Sequence, residues 1–95
     1  MASLCVCFEL QKGTKQCYSD LFAALERFED RCHALEWVWF VSTPWAAPQV
    51  YAYLRRYLDP QDTLLVEELP VGEGWSGWVR EDVLDWLTNH LGVAW

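Results

Sequence analysis

The sequence predicts an α+β domain whose elements follow the order β-α-β-β-α-β, with one further helix at the end. Three observations predict it. Runs rich in branched and aromatic residues occupy residues 4–10, 32–42 and 63–69. Between and after them, three stretches repeat apolar residues at helical spacing. No segment repeats another, and no linker or low-complexity tract interrupts the chain, so residues 1–95 read as a single domain. A chain of 95 residues supports one hydrophobic core rather than two, and a hydrophobic fraction of 53% supplies it.

Residues 4–10 (LCVCFEL) form the first strand, which the polar, glycine-containing stretch 11–16 ends. Tyr18, Leu21, Phe22, Leu25 and Phe28 then mark one face of a helix, with Ser19, Asp20, Glu26 and Arg27 on the other. Residues 32–42 (CHALEWVWFVS) lack glycine and proline and read as extended chain. They outrun a usual strand of about five or six residues, so a bulge or tight corner near Glu36 and Trp37 divides them into two strands. Pro44 ends that run. Pro48 fits a first helical turn, and Val50, Leu54, Tyr57 and Leu58 extend an apolar stripe, which predicts a second helix over 47–58. Asp59, Pro60, Gln61 and Asp62 have turn composition, and residues 63–69 (TLLVEEL) form the last main strand. After a glycine-rich connection around Trp75, Glu81 and Asp82 precede Val83, Leu84, Leu87 and Leu91. His90 lies near the end of that stripe and Gly92 follows it, so the helix dipole is matched at both ends. This order predicts a mostly antiparallel sheet with two helices packed on one face.

Net charge and cysteine spacing narrow the function classes. A net charge of −7 disfavours a monomer that grips nucleic acid through a broad basic face and points to basic proteins as partners. The first residues lack the basic and apolar regions of a secretory signal. No apolar run approaches the roughly 20 residues needed to cross a bilayer. A cytoplasmic protein without a membrane span is therefore expected. Cys5 and Cys7 share one face of a strand, and the irregular spacing of Cys17 and Cys32 offers no second zinc knuckle, so the thiols read as reduced core residues.

Several stretches resemble the small SinR-like proteins, which are similar to the Cas-two family of CRISPR-associated proteins. They are the first strand ending in an acid (CVCFEL), Tyr18 ahead of Leu21 and Phe22, and His33, Leu35 and Glu36 before Trp39, Phe40 and Val41. Thr43, Ala47, Gln49 and Val50 follow, then Leu58, Asp59, Asp62, Leu64, Leu65 and Val66, and finally Trp75, Gly77 and Trp78. The resemblance implies a ferredoxin-like sandwich that associates through its sheets as a homodimer. It also implies, at the end of the first strand, an acid that holds a divalent metal between protomers for phosphodiester cleavage. That place is Glu9. Its extra methylene moves the carboxylate outward by about 1.5 Å relative to aspartate, a displacement octahedral magnesium tolerates poorly.

Glu9 is accordingly the candidate catalytic and metal-binding residue, with His33 as an assisting catalytic candidate, against the alternative of a solvated strand end paired with Lys12. Glu36 joins His33 only if a bulge turns the two to one side. His90 reads as a helix-end residue satisfying local hydrogen bonds. A small core cannot hide all seven tryptophans, so Trp45, Trp75, Trp78 and Trp95 are candidates for a dimer or partner interface. Arg55 and Arg56, with Tyr51, Tyr53 and Tyr57, offer a weakly basic aromatic helix face for nucleic acid. The leading expectation is a non-catalytic dimeric protein, needing no cofactor, that engages a protein or nucleoprotein partner, as an acidic inhibitor or decoy of a nucleic-acid-handling or defence complex would. The alternatives are a magnesium- or manganese-dependent nuclease and a structural subunit of a larger assembly.

Overall fold

The computed structural model describes residues 1–11, 18–72 and 75–92. Its elements are β1 (Ala2–Glu9), α1 (Ser19–Glu26), β2 (Asp30–Leu35), β3 (Val38–Thr43), α2 (Ala47–Arg55), β4 (Thr63–Leu69) and α3 (Glu81–Leu91). The four strands form one sheet in the order β2-β3-β1-β4, and every neighbouring pair is antiparallel. The α+β class and the mainly antiparallel sheet are as the sequence predicts.

β1 lies between β3 and β4, so both of its edges are hydrogen-bonded to neighbouring strands. Leu4, Val6 and Phe8 point to one side, where Trp39 and Val41 of β3 join them under Leu21, Ala24 and Leu25 of α1 and Val50 and Leu54 of α2. Ala34, Val38 and Phe40 point to the other side and pack against Val83, Leu87 and Leu91 of α3. The first cluster dominates: among the described residues Leu4, Leu21, Leu25, Leu54, Val6, Val41 and Val50 are large side chains fully buried there, against Val83 alone on the α3 side. Each such side chain contributes about 1.5–3 kcal/mol on burial. α3 therefore completes a sheet that α1 and α2 already anchor, and it leaves the β1–β4 half of its face open at Leu65 and Glu67.

The corner expected near Glu36 and Trp37 is the β2–β3 turn. A two-residue hairpin connection usually needs positive φ, yet no described non-glycine residue has it, and the register slips between His33 and Leu35. α2 ends at Arg55, earlier than the apolar stripe predicts, because the chain tightens to i→i+3 bonds: Tyr57 N–H donates to Leu54 O at 3.0 Å and Leu58 N–H to Arg55 O at 3.2 Å. α1 closes the same way, with Phe28 N–H donating to Leu25 O at 3.2 Å. Phe28 remains in the core although it has left the helix.

Candidate functional site

The turn from β3 into α2 sets the geometry of the most developed surface site. Thr43 Oγ1 accepts the N–H of Trp45 at 3.2 Å, and Gln49 at the third helical position reaches back to accept the Ala46 N–H at 2.8 Å. Trp45 is thereby fixed at the α2 entrance, 40% exposed. Phe28 meets its ring edge-on at a centroid distance of 5.9 Å and Tyr53 does so at 5.5 Å. Tyr53 is the hub: its hydroxyl donates to Ala24 O at 3.2 Å, which ties α2 to α1, and its ring packs edge-on against Phe28 and Tyr57.

Two guanidinium groups flank these rings. Arg27 Nη1 donates to the hydroxyls of Tyr53 and Tyr57, both at 3.4 Å. Those two hydroxyls, Tyr53 first, push its already high pKa further up, so the group is always cationic. Arg56 Cζ sits 5.8 Å from the centroid of the Tyr53 ring. Trp45 and Tyr53 form a wall common to two shallow clefts. One, of about 230 Å³, is also lined by Arg27, Phe28, Glu29 and Thr43. The other, of about 320 Å³, is lined by Gln49, Ala52 and Arg56 besides the two shared rings.

The remaining candidates are dispersed. Glu9 is exposed at the end of β1 opposite Thr63, in a shallow cleft with Cys7, Phe8, Leu64 and Leu65. His33 lies on the far edge strand β2, its ring stacked on Trp39 at 4.3 Å and its Nε2 3.2 Å from the Glu36 backbone carbonyl rather than the Glu36 carboxylate. Glu9 and His33 line separate clefts, and the structure does not bring them together. Among the described residues no cluster of three His, Cys, Asp or Glu side chains is arranged to hold a metal ion. Cys5 and Cys7 do share a face, with Sγ atoms 3.3 Å apart, and Cys5, Cys7 and Cys32 are free thiols.

Trp75 packs against the α3 cluster and donates Nε1–H to Gly92 O at 2.9 Å, so much of its surface is spent inside the chain. Trp78 is fully exposed. Arg55 turns back to donate to Leu58 O at 3.2 Å, and it lines neither of the two clefts. Trp95, Lys12 and Cys17 lie outside the described residues. Sequence reasoning assigned Arg27 to the solvated face of α1 and so missed its part in this site. Nothing in local spacing signals that part, because only the packing of α1 on α2 brings Arg27 to Tyr53.

Family profiles, curated proteins and solved structures contain no match to this chain.

Proposed function

We propose that the chain is a non-catalytic, homodimeric binding protein of the SinR-like type, built as a ferredoxin-like sandwich and engaging a protein or nucleoprotein partner in the cytoplasm. The strand order β2-β3-β1-β4 and the placement of α1 and α2 on one face support the ferredoxin-like reading. The observation that carries the function is Trp78, a large ring left entirely in solvent while Trp39, a ring of the same size, is buried in the core. Val71 at 80% exposure and Leu65 at 59% add apolar surface that folding leaves unused. Such surface on an otherwise acidic molecule suits recognition of a macromolecule with basic groups around an apolar centre.

Affinity purification from cell lysate at low and moderate salt tests this reading. A stoichiometric partner is expected with the wild-type chain and should be lost with Trp78→Ala. The absence of such a partner at both salt concentrations overturns it. The nuclease alternative has its own assay: RNA or DNA cleavage that depends on magnesium or manganese and disappears in Glu9→Ala would make the chain an enzyme.

A further inference from the structure

Two described cations stand apart in a chain with twice as many acids as bases. Arg80 pairs with Asp82 and also donates to the His33 and Ala34 carbonyls, while Arg31 and Arg55 are turned onto backbone carbonyls. Arg27 and Arg56 have no carboxylate within ion-pair distance among the described residues; Arg27 donates to the Tyr53 and Tyr57 hydroxyls, and Arg56 sits over the Tyr53 ring. Their clefts share Trp45 and Tyr53 as lining, and their polar linings differ. The first holds a carboxylate and a hydroxyl, Glu29 and Thr43, besides Arg27. Among the described residues, Arg56 is the only charged one that lines the second.

From this arrangement we infer that the Trp45 site binds one nucleoside monophosphate unit, with the base in the cleft of Arg27 and Glu29 and the phosphate at Arg56. A flat base gains from stacking on a fixed indole, and a guanidinium is suited to phosphate oxygens. Glu29 repels a phosphate in the first cleft but accepts N–H from the exocyclic amino group of a base. Arg27 donates to a base carbonyl beside it. Cytosine and guanine carry both groups, whereas uracil has no amino group. Ligand clefts usually span about 300–1,000 Å³, so hollows of about 230 and 320 Å³, at or below the lower end of that range, suit a ligand no larger than a nucleotide. A single unit is also what the net charge of −7 permits, since a long strand would meet repulsion beyond the site. This inference goes beyond the partner-binding reading and stands without it, because it rests on a different tryptophan.

Calorimetric titration of the full chain with cytidine monophosphate, uridine monophosphate and inorganic phosphate tests it, with a short cytidine-containing single strand as a further arm. Cytidine monophosphate should bind about tenfold more tightly than uridine monophosphate, and inorganic phosphate more weakly than either. Trp45→Ala and Arg56→Gln should each weaken cytidine monophosphate about tenfold, and Glu29→Gln should reduce the preference for cytidine. Arg56 is exposed and outside the core, so its variant decides the matter even if Trp45→Ala unfolds the chain. Tighter binding of the short strand than of the free nucleotide assigns the unit to a chain end, and equal binding assigns it to the free nucleotide. No binding of either nucleotide, or equal affinity for nucleotide and inorganic phosphate, or an Arg56→Gln variant with unchanged affinity, overturns the inference.

Discussion

Asp62 shows how one side chain closes a loop cluster. Its Oδ1 accepts the Gln11 N–H at 2.8 Å and the Tyr18 hydroxyl at 3.0 Å, while Oδ2 accepts the Asp59 N–H at 2.9 Å. A carboxylate buried to 9% exposure is tolerated because donors surround it, and it joins the exit of β1, the entry of α1 and the turn before β4. Turn composition around Asp62 was legible in the sequence; its long-range partners were not. Cys5 carries a testable electrostatic consequence. Burial, helped by the Cys7 thiol and then by Glu67, pushes its pKa from an ordinary 9.0 up to about 12. The unfolded chain ionises this thiol above its ordinary value while the folded chain holds it neutral, so stability is full below that pH and falls as pH rises toward 12. Thermal melts across the alkaline range should show a shallower decline for Cys5→Ala than for the wild-type chain; parallel declines would refute the assignment.

Among the elements, α3 is held to the sheet by a polar clamp as well as by its apolar stripe. Asp30 of β2 accepts the Trp86 indole N–H at 2.9 Å and meets His90 Nε2 at 2.6 Å, while His90 Nδ1 lies 2.7 Å from the Trp86 carbonyl. The His90 and Trp86 rings stack at 3.8 Å, and Phe40 stacks on Trp86 at 5.7 Å. The His90 and Asp30 side chains are 21% and 41% exposed, so solvent screens the pair and the clamp is weaker than a buried one. Asp30→Ala should lower stability by about 1–2 kcal/mol in urea unfolding. Hydrogen exchange should quicken in α3 more than in α1 or α2, and a uniform loss of protection would show that the clamp acts on the whole domain instead. Gly92 ends α3 with φ of +102°, and its N–H donates to Thr88 O at 3.1 Å. The Glu81–Leu91 bounds of α3 were readable because acids open the helix and His90 and Gly92 close it. The ends of α1 and α2 were not, because i→i+3 closure leaves no mark on the hydrophobic stripe.

On the scale of the whole molecule, the uneven cover of the sheet is what matters. α1 and α2 close one face, while α3 lies over β2 and β3 and leaves Cys7 half-buried and Leu65 and Glu67 exposed on β1 and β4. The proposed homodimer would use this strip, since among the described residues no helix lies over it. Leu65→Asp should then convert a dimer to a monomer in sedimentation at micromolar concentration without loss of far-ultraviolet helix and strand signal, because the side chain is already 59% exposed in the single chain. An unchanged sedimentation coefficient would place the dimer contact elsewhere.

Local chemistry alone determined which segments become strands and helices. Apolar spacing depends only on the repeat of the backbone, and proline and glycine act on their own dihedral angles. It also determined that so many large rings would outrun a small core. Only the tertiary structure decided which tryptophans are spent inside, as Trp39 and Trp75 are, and which remain outside, as Trp45 and Trp78 do. It alone joined Arg27 to Tyr53 and Asp30 to His90 across 26 and 60 residues of chain. Those contacts come from the packing of α1 on α2 and of α3 on β2, and the energy of such packing belongs to surfaces that no single segment contains.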